Sequence, residues 1–223
     1  MHGDADLATV GAAIGEPARA LMLNALLGGR ALPASELAQI GRVAPSTASA
    51  HIAKLAEAGL IAVEPRGRHR YHRLASDDVA HAIEVLATIA PPLEIRSLRA
   101  ANVAGAERHA RSCYDHLAGE LGVAITDRLV DLGALESESL ALRDPKPLTA
   151  IGIHAEQLRG RRPLTRACLD WTERRPHVAG QVGAAILTAL VDLRWITRAP
   201  SGRAVRLTPS GERGLHAAIG LKP

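Results

Sequence analysis

Two cysteines in the second half of the chain are the residues best suited to bind or react with a ligand. Cys113 and Cys168 are the only cysteines among the 223 residues, and each is followed two residues later by an aspartate. A thiolate is a nucleophile, a redox centre and a ligand for soft metals. Because the two cysteines lie far apart in sequence, the sequence predicts free thiols rather than a disulfide framework.

The sequence leaves a structural and a functional interpretation of these thiols open. In the first, each thiol fills a small buried space and each aspartate pairs locally with Arg111 or Arg166. In the second, the thiols converge with histidines on one inducer, such as a soft metal, a metalloid, or a reactive sulfur or electrophilic species. The residues of this candidate sensing site are Cys113, His116, Cys168 and His177, with His109 and the aspartates beside them. No catalytic motif and no cofactor-binding motif is found, so the sequence predicts no enzyme.

The candidate sensing residues belong to two stretches that are similar in sequence. HLAGELGVAI at 116–125 corresponds to HVAGQVGAAI at 177–186, and each is followed by Leu-Val-Asp-Leu. Upstream, RSCYD at 111–115 corresponds to RACLD at 166–170, and downstream each copy closes with Leu-Thr-x-x-Gly. The order helix, hairpin or loop, then a further helix predicts two degenerate winged-helix-like repeats at 108–152 and 163–211. Small residues on adjacent helical turns are expected to let helices pack closely against each other.

The elements of the first ninety residues follow the order of a small DNA-binding domain. An apolar helix is predicted over 17–27, and a Gly-Gly pair ends it. A short helix over 33–40 follows, and Gly41 supplies a turn. The next helix begins near Pro45. Its inner face is predicted to consist of Ala48, Ile52, Leu55 and Ala56.

The outer side of this helix and the hairpin after it are predicted to contact double-stranded DNA. Small and hydrogen-bonding side chains on the helix let the backbone approach base edges and phosphates in a major groove. Apolar residues with period two then predict a hairpin over 61–74, and its basic tip suits phosphate neutralisation. The candidate DNA contacts are Arg42, Ser46, Thr47, Ser49, His51, Lys54, Arg66, Arg68, His69 and Arg70.

This region resembles the ArsR-type winged-helix repressors over roughly residues 7–90. The matching segments are IGEPAR at 14–19, ELA at 36–38, PSTASAHI at 45–52, LAEAGLI at 55–61 and RGRHRY at 66–71. The resemblance implies a homodimer that binds an imperfect palindrome, with one recognition helix in each half-site. It also implies that repression is relieved when an inducer binds. The additional C-terminal domain lies outside the resemblance.

Departures from the family pattern bear on metal sensing. Metal-sensing members often carry a cysteine pair on the helix that corresponds to 36–40, and this sequence has none there. A second family site uses Asp and His along the helix after the wing. This chain offers Asp77, Asp78, His81 and Glu84 there, without a further histidine one or two turns on. No metal ligand is therefore assigned. Ala44 also stands where a Ser or Thr cap is expected, a loss of roughly 1 kcal/mol.

Composition agrees with a two-domain helical protein. Of the residues, 47% are hydrophobic and phenylalanine is absent, while the net charge of +4 permits a polyanionic partner. No apolar run approaches the roughly 20 residues of a membrane span and no signal peptide is evident, so a cytoplasmic protein without membrane contact is expected. The predicted fold is mainly α with small β-hairpins (α+β). It has a winged helix-turn-helix domain at 1–90, a helical connector at 91–106, and a mostly helical sensory or dimer-stabilising domain at 107–223.

The sequence therefore predicts a homodimeric, DNA-binding transcriptional regulator, a repressor whose unidentified inducer is sensed through the C-terminal domain. Two alternatives stay open. One is a DNA-binding module that recruits a partner protein without sensing a small molecule. The other is a thiol-based redox or metalloid sensor that uses Cys113 and Cys168.

Overall fold

The chain divides into two units, Met1–Ile83 and Glu84–Pro223. The computed structural model describes residues 4–95 and 97–222. Helices joined by short antiparallel hairpins make up both units, which confirms the predicted mainly α class with small hairpins. The boundary between the units lies inside a helix, α5 (Asp77–Ile89), whereas the sequence analysis placed it after residue 90. Within the described ranges, no helix combines the length and the apolar character that crossing a bilayer requires.

The first unit consists of helices around a three-stranded antiparallel sheet. In chain order its elements are α1 (Leu7–Ile14), α2 (Pro17–Leu26), β1 (Leu32–Pro33), α3 (Ala34–Gly41), α4 (Pro45–Glu57), β2 (Ile61–Arg66) and β3 (His69–Leu74). The strand order is β1-β3-β2, so β2 and β3 form the hairpin that the sequence predicts over 61–74. Buried aliphatic side chains such as Met22, Leu37 and Leu55 form the core that holds α4 in place.

Local contacts explain where α2 and α3 begin and end. The Glu16 carboxylate accepts a hydrogen bond of 2.8 Å from the Arg19 N–H, which caps the first turn of α2. Gly41 belongs to α3 rather than to the following turn, which begins at Arg42 with a left-handed φ of 55°. A Cβ at Gly41 would lie 2.7 Å from Met22 Cε, so the glycine lets α3 pack closely on α2.

The second unit contains two hairpins that each lead directly into a long helix. Its elements after α5 are α6 (Leu98–His109), β4 (Arg111–Cys113), β5 (His116–Ala118), α7 (Gly119–Asp131), α8 (Lys146–Thr149), a 3-10 turn (Ala155–Gln157), β6 (Arg166–Leu169), β7 (Pro176–Ala179), α9 (Gly180–Asp192), β8 (Ile196–Arg198), β9 (Val205–Leu207) and α10 (Pro209–Ile219). The hairpins β4–β5 and β6–β7 were not predicted. In the second copy, the predicted closing Leu-Thr pair comes directly before α10, and Thr208 is the N-cap of that helix. In the first copy, the corresponding Thr149 is instead the last residue of α8.

The two hairpin-helix segments pack against each other reciprocally. Strand β5 contacts β7, while α7 packs against β7 and α9 packs against β5. Residues from matching positions line one small apolar cavity: Leu117, Gly122, Ile125, Val178, Gly183 and Ile186. A Cβ added to Gly122 would lie 2.6 Å from the Leu117 carbonyl oxygen, and one added to Gly183 would lie 2.4 Å from the Val178 carbonyl oxygen. Gly122 and Gly183 therefore bring each helix onto its own hairpin. Gly119 instead allows the close helix-to-helix packing that was expected, because a Cβ there would lie 2.5 Å from the Arg108 carbonyl oxygen in α6.

Candidate functional site

The helix predicted to enter a DNA groove is α4, and its outer side is exposed. Ala48, Ile52 and Leu55 are buried as predicted, whereas Ala56 is exposed and its predicted inward position is wrong. Eight residues at the helical repeat place Ala56 about 80° around the axis from Ala48, at the edge of the buried face. The exposed residues on the other side are Ser46, Thr47, Ser49, Ala50 and Lys54.

Among the described residues, no side chain caps the N-terminus of α4. Ala44 occupies the N-cap position in an extended conformation and makes no side-chain hydrogen bond. The first-turn N–H groups therefore lack a side-chain acceptor, and the positive end of the helix dipole lies beside Ser46 and Thr47. A helix end of this kind is suited to bind a phosphate group.

The cations of the predicted wing lie on the exposed β2–β3 hairpin. Its exposed basic residues are Arg66, Arg68, His69, Arg70 and Arg73. Arg66 Nε donates a hydrogen bond of 2.9 Å to Glu64 Oε1, and its guanidinium carbon lies 5.1 Å from the Tyr71 ring centroid. Because Glu64 offsets the charge of Arg66, the other cations of the hairpin are better suited to neutralise phosphates.

Two of the predicted DNA contacts also have roles within the first unit. His51 is half-buried, with Nδ1 3.3 Å from Arg19 Nη1 and Nε2 3.6 Å from Glu16 Oε2. These contacts tie α4 to the start of α2, which the sequence could not indicate because His51 lies 32 residues from Arg19. Arg42 is exposed, and its left-handed backbone ends α3.

The structure brings the four candidate sensing residues of the second unit together. Cys113 pairs with His116 across β4 and β5, and Cys168 pairs with His177 across β6 and β7. The two Sγ atoms lie 3.8 Å apart, and the two histidine Nε2 atoms lie 3.1 Å apart. All four side chains are buried, and their ligand atoms lie within 4.8 Å of one another. We call these four residues the Cys/His cluster. His109 is not part of it, because it is exposed and paired with Glu120.

Neighbouring groups within the cluster set the ionisation of its thiols. A hydrogen bond with Cys113 lowers the pKa of the Cys168 thiol, and the two histidines lower it further, although burial opposes them. The same hydrogen bond raises the pKa of the Cys113 thiol, and burial acts in the same direction. Burial lowers the pKa of His116, but Asp115 and Cys168 outweigh this effect and raise it overall. The cluster therefore favours a thiolate on Cys168.

An aspartate lies beside the second ring nitrogen of each clustered histidine. His116 Nδ1 is 3.3 Å from Asp115 Oδ1, and His177 Nδ1 is 3.7 Å from Asp170 Oδ2. Asp170 is fully buried and accepts a hydrogen bond of 2.9 Å from Arg111 Nη2, whereas the buried His177 Nδ1 makes no hydrogen bond. Burial raises the pKa of Asp170, but Arg111 and several hydrogen-bond donors hold it well below its ordinary value.

The partner of Asp170 differs from the local one that the sequence predicts. A local pair was expected in each copy, yet Arg111 from the first copy binds Asp170 from the second, 59 residues away. The guanidinium of Arg111 also lies 4.7 Å from the Trp171 ring centroid. The sequence held one signal for this arrangement, because the Arg and the Asp recur at matching positions in both copies.

Glu84, an acidic residue considered for a metal site on α5, is engaged in a buried ion pair. Its Oε1 accepts a hydrogen bond of 2.5 Å from Arg203 Nη1, and both side chains are buried. The Arg203 carbonyl oxygen accepts a hydrogen bond of 2.9 Å from the Ser112 N–H, beside Cys113. These contacts join α5 to strand β4, which carries Cys113, a connection between distant segments that the sequence did not indicate.

Comparisons with known proteins concern both parts of the chain. A family model described as a helix-turn-helix domain matches residues 14–64. The chain is 40% identical over 222 residues to YdfF of Bacillus subtilis (strain 168), which is called an uncharacterized HTH-type transcriptional regulator. That match covers 97% of this chain and 98% of YdfF.

Similar solved structures cover a smaller share of the chain. The homodimeric winged helix-turn-helix DNA-binding domain of Mb0332 from Mycobacterium bovis is 27% identical, with a TM-score of 0.35, and covers 40% of this chain and 89% of that one. NolR from Sinorhizobium fredii is 23% identical, with a TM-score of 0.35, and the match covers 40% of this chain and 96% of NolR.

The relationship to YdfF extends over almost the whole of both proteins, and the helix-turn-helix match includes α2, α3 and α4. The chain therefore belongs to the helix-turn-helix transcriptional regulators, DNA-binding proteins rather than enzymes, as its ArsR-type motifs indicated.

Proposed function

We propose that the protein is a homodimeric repressor that binds a palindromic operator in double-stranded DNA and leaves it when a signal reaches the second unit. The observation that best supports a DNA-binding surface is that the first unit contains both the uncapped N-terminus of α4 and an exposed basic hairpin. Ser46 and Thr47 would approach base edges and phosphates, and Arg68 and Arg70 would neutralise phosphates. Arg42, Ser49, Lys54, Arg66 and His69 would add contacts, and His51 would position α4.

A second copy of the chain is the proposed occupant of an apolar face of α5. Val85, Leu86 and Ile89 are 47%, 43% and 79% exposed, an arrangement that monomers usually avoid. A palindromic operator requires a two-fold symmetric protein, and a self-complementary face supplies it. Ile89→Glu should convert a dimer to a monomer in sedimentation analysis. Leu193→Glu, at a residue 44% exposed in α9's C-cap position, should leave the dimer intact. A dimer that survives Ile89→Glu would exclude this face.

The second unit is the proposed sensor because a continuous set of contacts leads from its cluster to α5. The Ser112 N–H next to Cys113 binds the Arg203 carbonyl oxygen, and the Arg203 side chain binds Glu84 on α5. A shift of the β4–β5 hairpin would therefore alter the hydrogen bonds through which Arg203 holds Glu84 of α5. Glu84→Gln should leave DNA affinity intact but reduce its response to the signal.

The DNA-binding proposal is tested by fluorescence anisotropy on duplexes from the region upstream of the protein's own gene. Wild-type binding should weaken as salt rises, because cations on the protein replace counterions on the phosphates. Arg68→Ala and Arg70→Ala should each lower the slope of log affinity against log salt by about 1. Arg213→Ala, at an exposed position in α10, is the matched control and should not change it. No salt-dependent binding to any upstream duplex would refute the proposal.

The contact between the two sulfurs favours one second candidate, a thiol-based redox sensor. Cys113 Sγ and Cys168 Sγ lie 3.8 Å apart, so a small movement would allow a disulfide. Oxidation with diamide would join the two sulfurs, and the oxidant would take up the two electrons and two protons. A redox sensor should then change its DNA affinity at least tenfold, and Cys113→Ser should abolish that change. Unaltered affinity of the oxidised protein would eliminate this candidate.

A further inference from the structure

We infer that the Cys/His cluster is a tetrahedral site for one divalent cation of the zinc class, whereas the sequence left a soft metal open only as one possible inducer. Its four ligands are Cys113, His116, Cys168 and His177. The inference goes beyond the proposed repression of DNA, because it concerns what joins the two hairpins of the second unit. Metal binding can also be measured without DNA.

The distances between like atoms match those of a zinc site with two sulfur and two nitrogen ligands. Zn–S bonds of about 2.3 Å at a tetrahedral angle place two sulfurs about 3.8 Å apart, and Zn–N bonds of about 2.05 Å place two nitrogens about 3.3 Å apart. The sulfurs of Cys113 and Cys168 lie 3.8 Å apart. The Nε2 atoms of His116 and His177 lie 3.1 Å apart. A closed set of four thiolate and imidazole ligands selects Zn²⁺ or a chemically similar ion over Mg²⁺ or Ca²⁺.

Charge balance also favours a divalent ion at this buried position. Two thiolates and two neutral imidazoles would surround a divalent cation with no net charge, so burial would carry a small electrostatic cost. Without an ion, the two Nε2 atoms face each other and only one of them can donate a proton to the other.

One of the two aspartates beside the histidines supports this arrangement. A metal-bound histidine usually donates its second N–H to a carboxylate, which fixes the ring and makes it a better ligand. Asp115 Oδ1 lies 3.3 Å from His116 Nδ1, and Asp170 Oδ2 lies 3.7 Å from His177 Nδ1. The first distance is a hydrogen bond, which leaves His116 Nε2 to face the metal. The second is too long for one, and the buried His177 Nδ1 makes no hydrogen bond.

The source of the ligands indicates what the metal does. Each hairpin contributes one cysteine and one histidine as a cross-strand pair, so neither hairpin can complete the site alone. Four protein ligands and burial leave no position for a substrate, as in structural zinc sites. Metal binding would therefore fasten β4–β5 to β6–β7 and stabilise the second unit.

The test uses the full-length chain, freed of metal by a chelator under reducing conditions and then titrated with Co²⁺ as a spectroscopic probe. One equivalent per chain should bind with the intense visible spectrum of tetrahedral Co²⁺ and a thiolate-to-metal charge-transfer band. Zn²⁺ should displace it, raise the melting temperature and protect both thiols from alkylation. Cys113→Ser and His177→Gln should each weaken binding at least 100-fold. The control His154→Gln, at an exposed histidine, should bind as wild type.

A substitution outside the four ligands tests the site even if replacing a ligand unfolds the chain. Asp115→Asn retains all four ligands and should weaken Co²⁺ binding about 10- to 100-fold at unchanged stoichiometry. Far-ultraviolet circular dichroism of each metal-free variant identifies those that are folded. The inference is overturned if the wild type binds no stoichiometric Co²⁺, or if folded Cys113→Ser binds it equally well. It is also overturned if Zn²⁺ does not slow the formation of a Cys113–Cys168 disulfide in air.

Discussion

Breaking the buried ion pair between Arg111 and Asp170 is expected to destabilise the second unit strongly. Both side chains are fully buried, and Arg111 Nη2 lies 2.9 Å from Asp170 Oδ2. The substitution Arg111→Met removes the guanidinium and keeps much of the aliphatic volume. It leaves the Asp170 carboxylate buried without its cation. Because a buried charge without its partner is costly, the substitution should be far more harmful than a similar one at the surface.

The size of the effect follows from the contacts that Asp170 keeps. Breaking a buried pair costs about 3–5 kcal/mol. Asp170 still accepts hydrogen bonds from the N–H groups of Gly119, Thr172 and Glu173 in the variant, so we expect a value near the lower end, about 3 kcal/mol. For a chain of this length that corresponds to a fall in the melting temperature of about 6–12 °C.

The chain contains a matched control at its surface. Arg175 Nη2 lies 2.7 Å from Asp127 Oδ1, but the two side chains are 58% and 41% exposed. Arg175→Met should therefore cost only about 0–1 kcal/mol. Differential scanning calorimetry and urea unfolding of both variants at neutral pH measure the difference. Equal losses of stability in the two variants would refute the reasoning that burial makes the Arg111 pair important.

Three further predictions concern single positions. Burial lowers the pKa of His72, so the folded protein favours the neutral ring. The resulting contribution to the free energy of unfolding is complete above the unfolded-state pKa of about 6.5. It is lost as pH falls from there through the lower folded-state pKa. Urea midpoints between about pH 8 and 5 should fall less steeply in His72→Gln than in the wild type, with the exposed His69→Gln as control. Gly183→Ala should lose about 1–3 kcal/mol because its Cβ would lie 2.4 Å from a strand carbonyl oxygen, whereas Gly105→Ala, in open space, should not. Ala44→Ser should add a cap to α4 and raise stability by about 1 kcal/mol, while weakening DNA binding.

Each of these predictions has a contrary result. A pH profile of His72→Gln that parallels the wild type would remove His72 as the source of the acid sensitivity. Equal thermal stabilities of Gly183→Ala and Gly105→Ala would show that the helix can move off its hairpin without cost. Stronger DNA binding by Ala44→Ser would count against a phosphate at the uncapped end of α4.

Local patterns were sufficient for the first unit but not for the second. The helices α2, α3 and α4 and the β2–β3 hairpin follow from apolar spacing and from Gly and Pro positions, which act over a few residues. The strands of the Cys/His cluster are only three or four residues long, and β4 and β5 are buried at every position. Such strands have no alternation of polar and apolar residues, so their sequence carries no strand signal.

The sequence by itself determined that this protein has an ArsR-like DNA-binding domain, and its repeat marked the two cysteines as equivalent. Only the tertiary structure decided that they share a site. Cys113 and Cys168 are 55 residues apart, and His116 and His177 are 61 residues apart. Their meeting depends on the reciprocal packing of two hairpins and two helices. No local spacing encodes that packing, because it is the sum of many small contacts between distant segments.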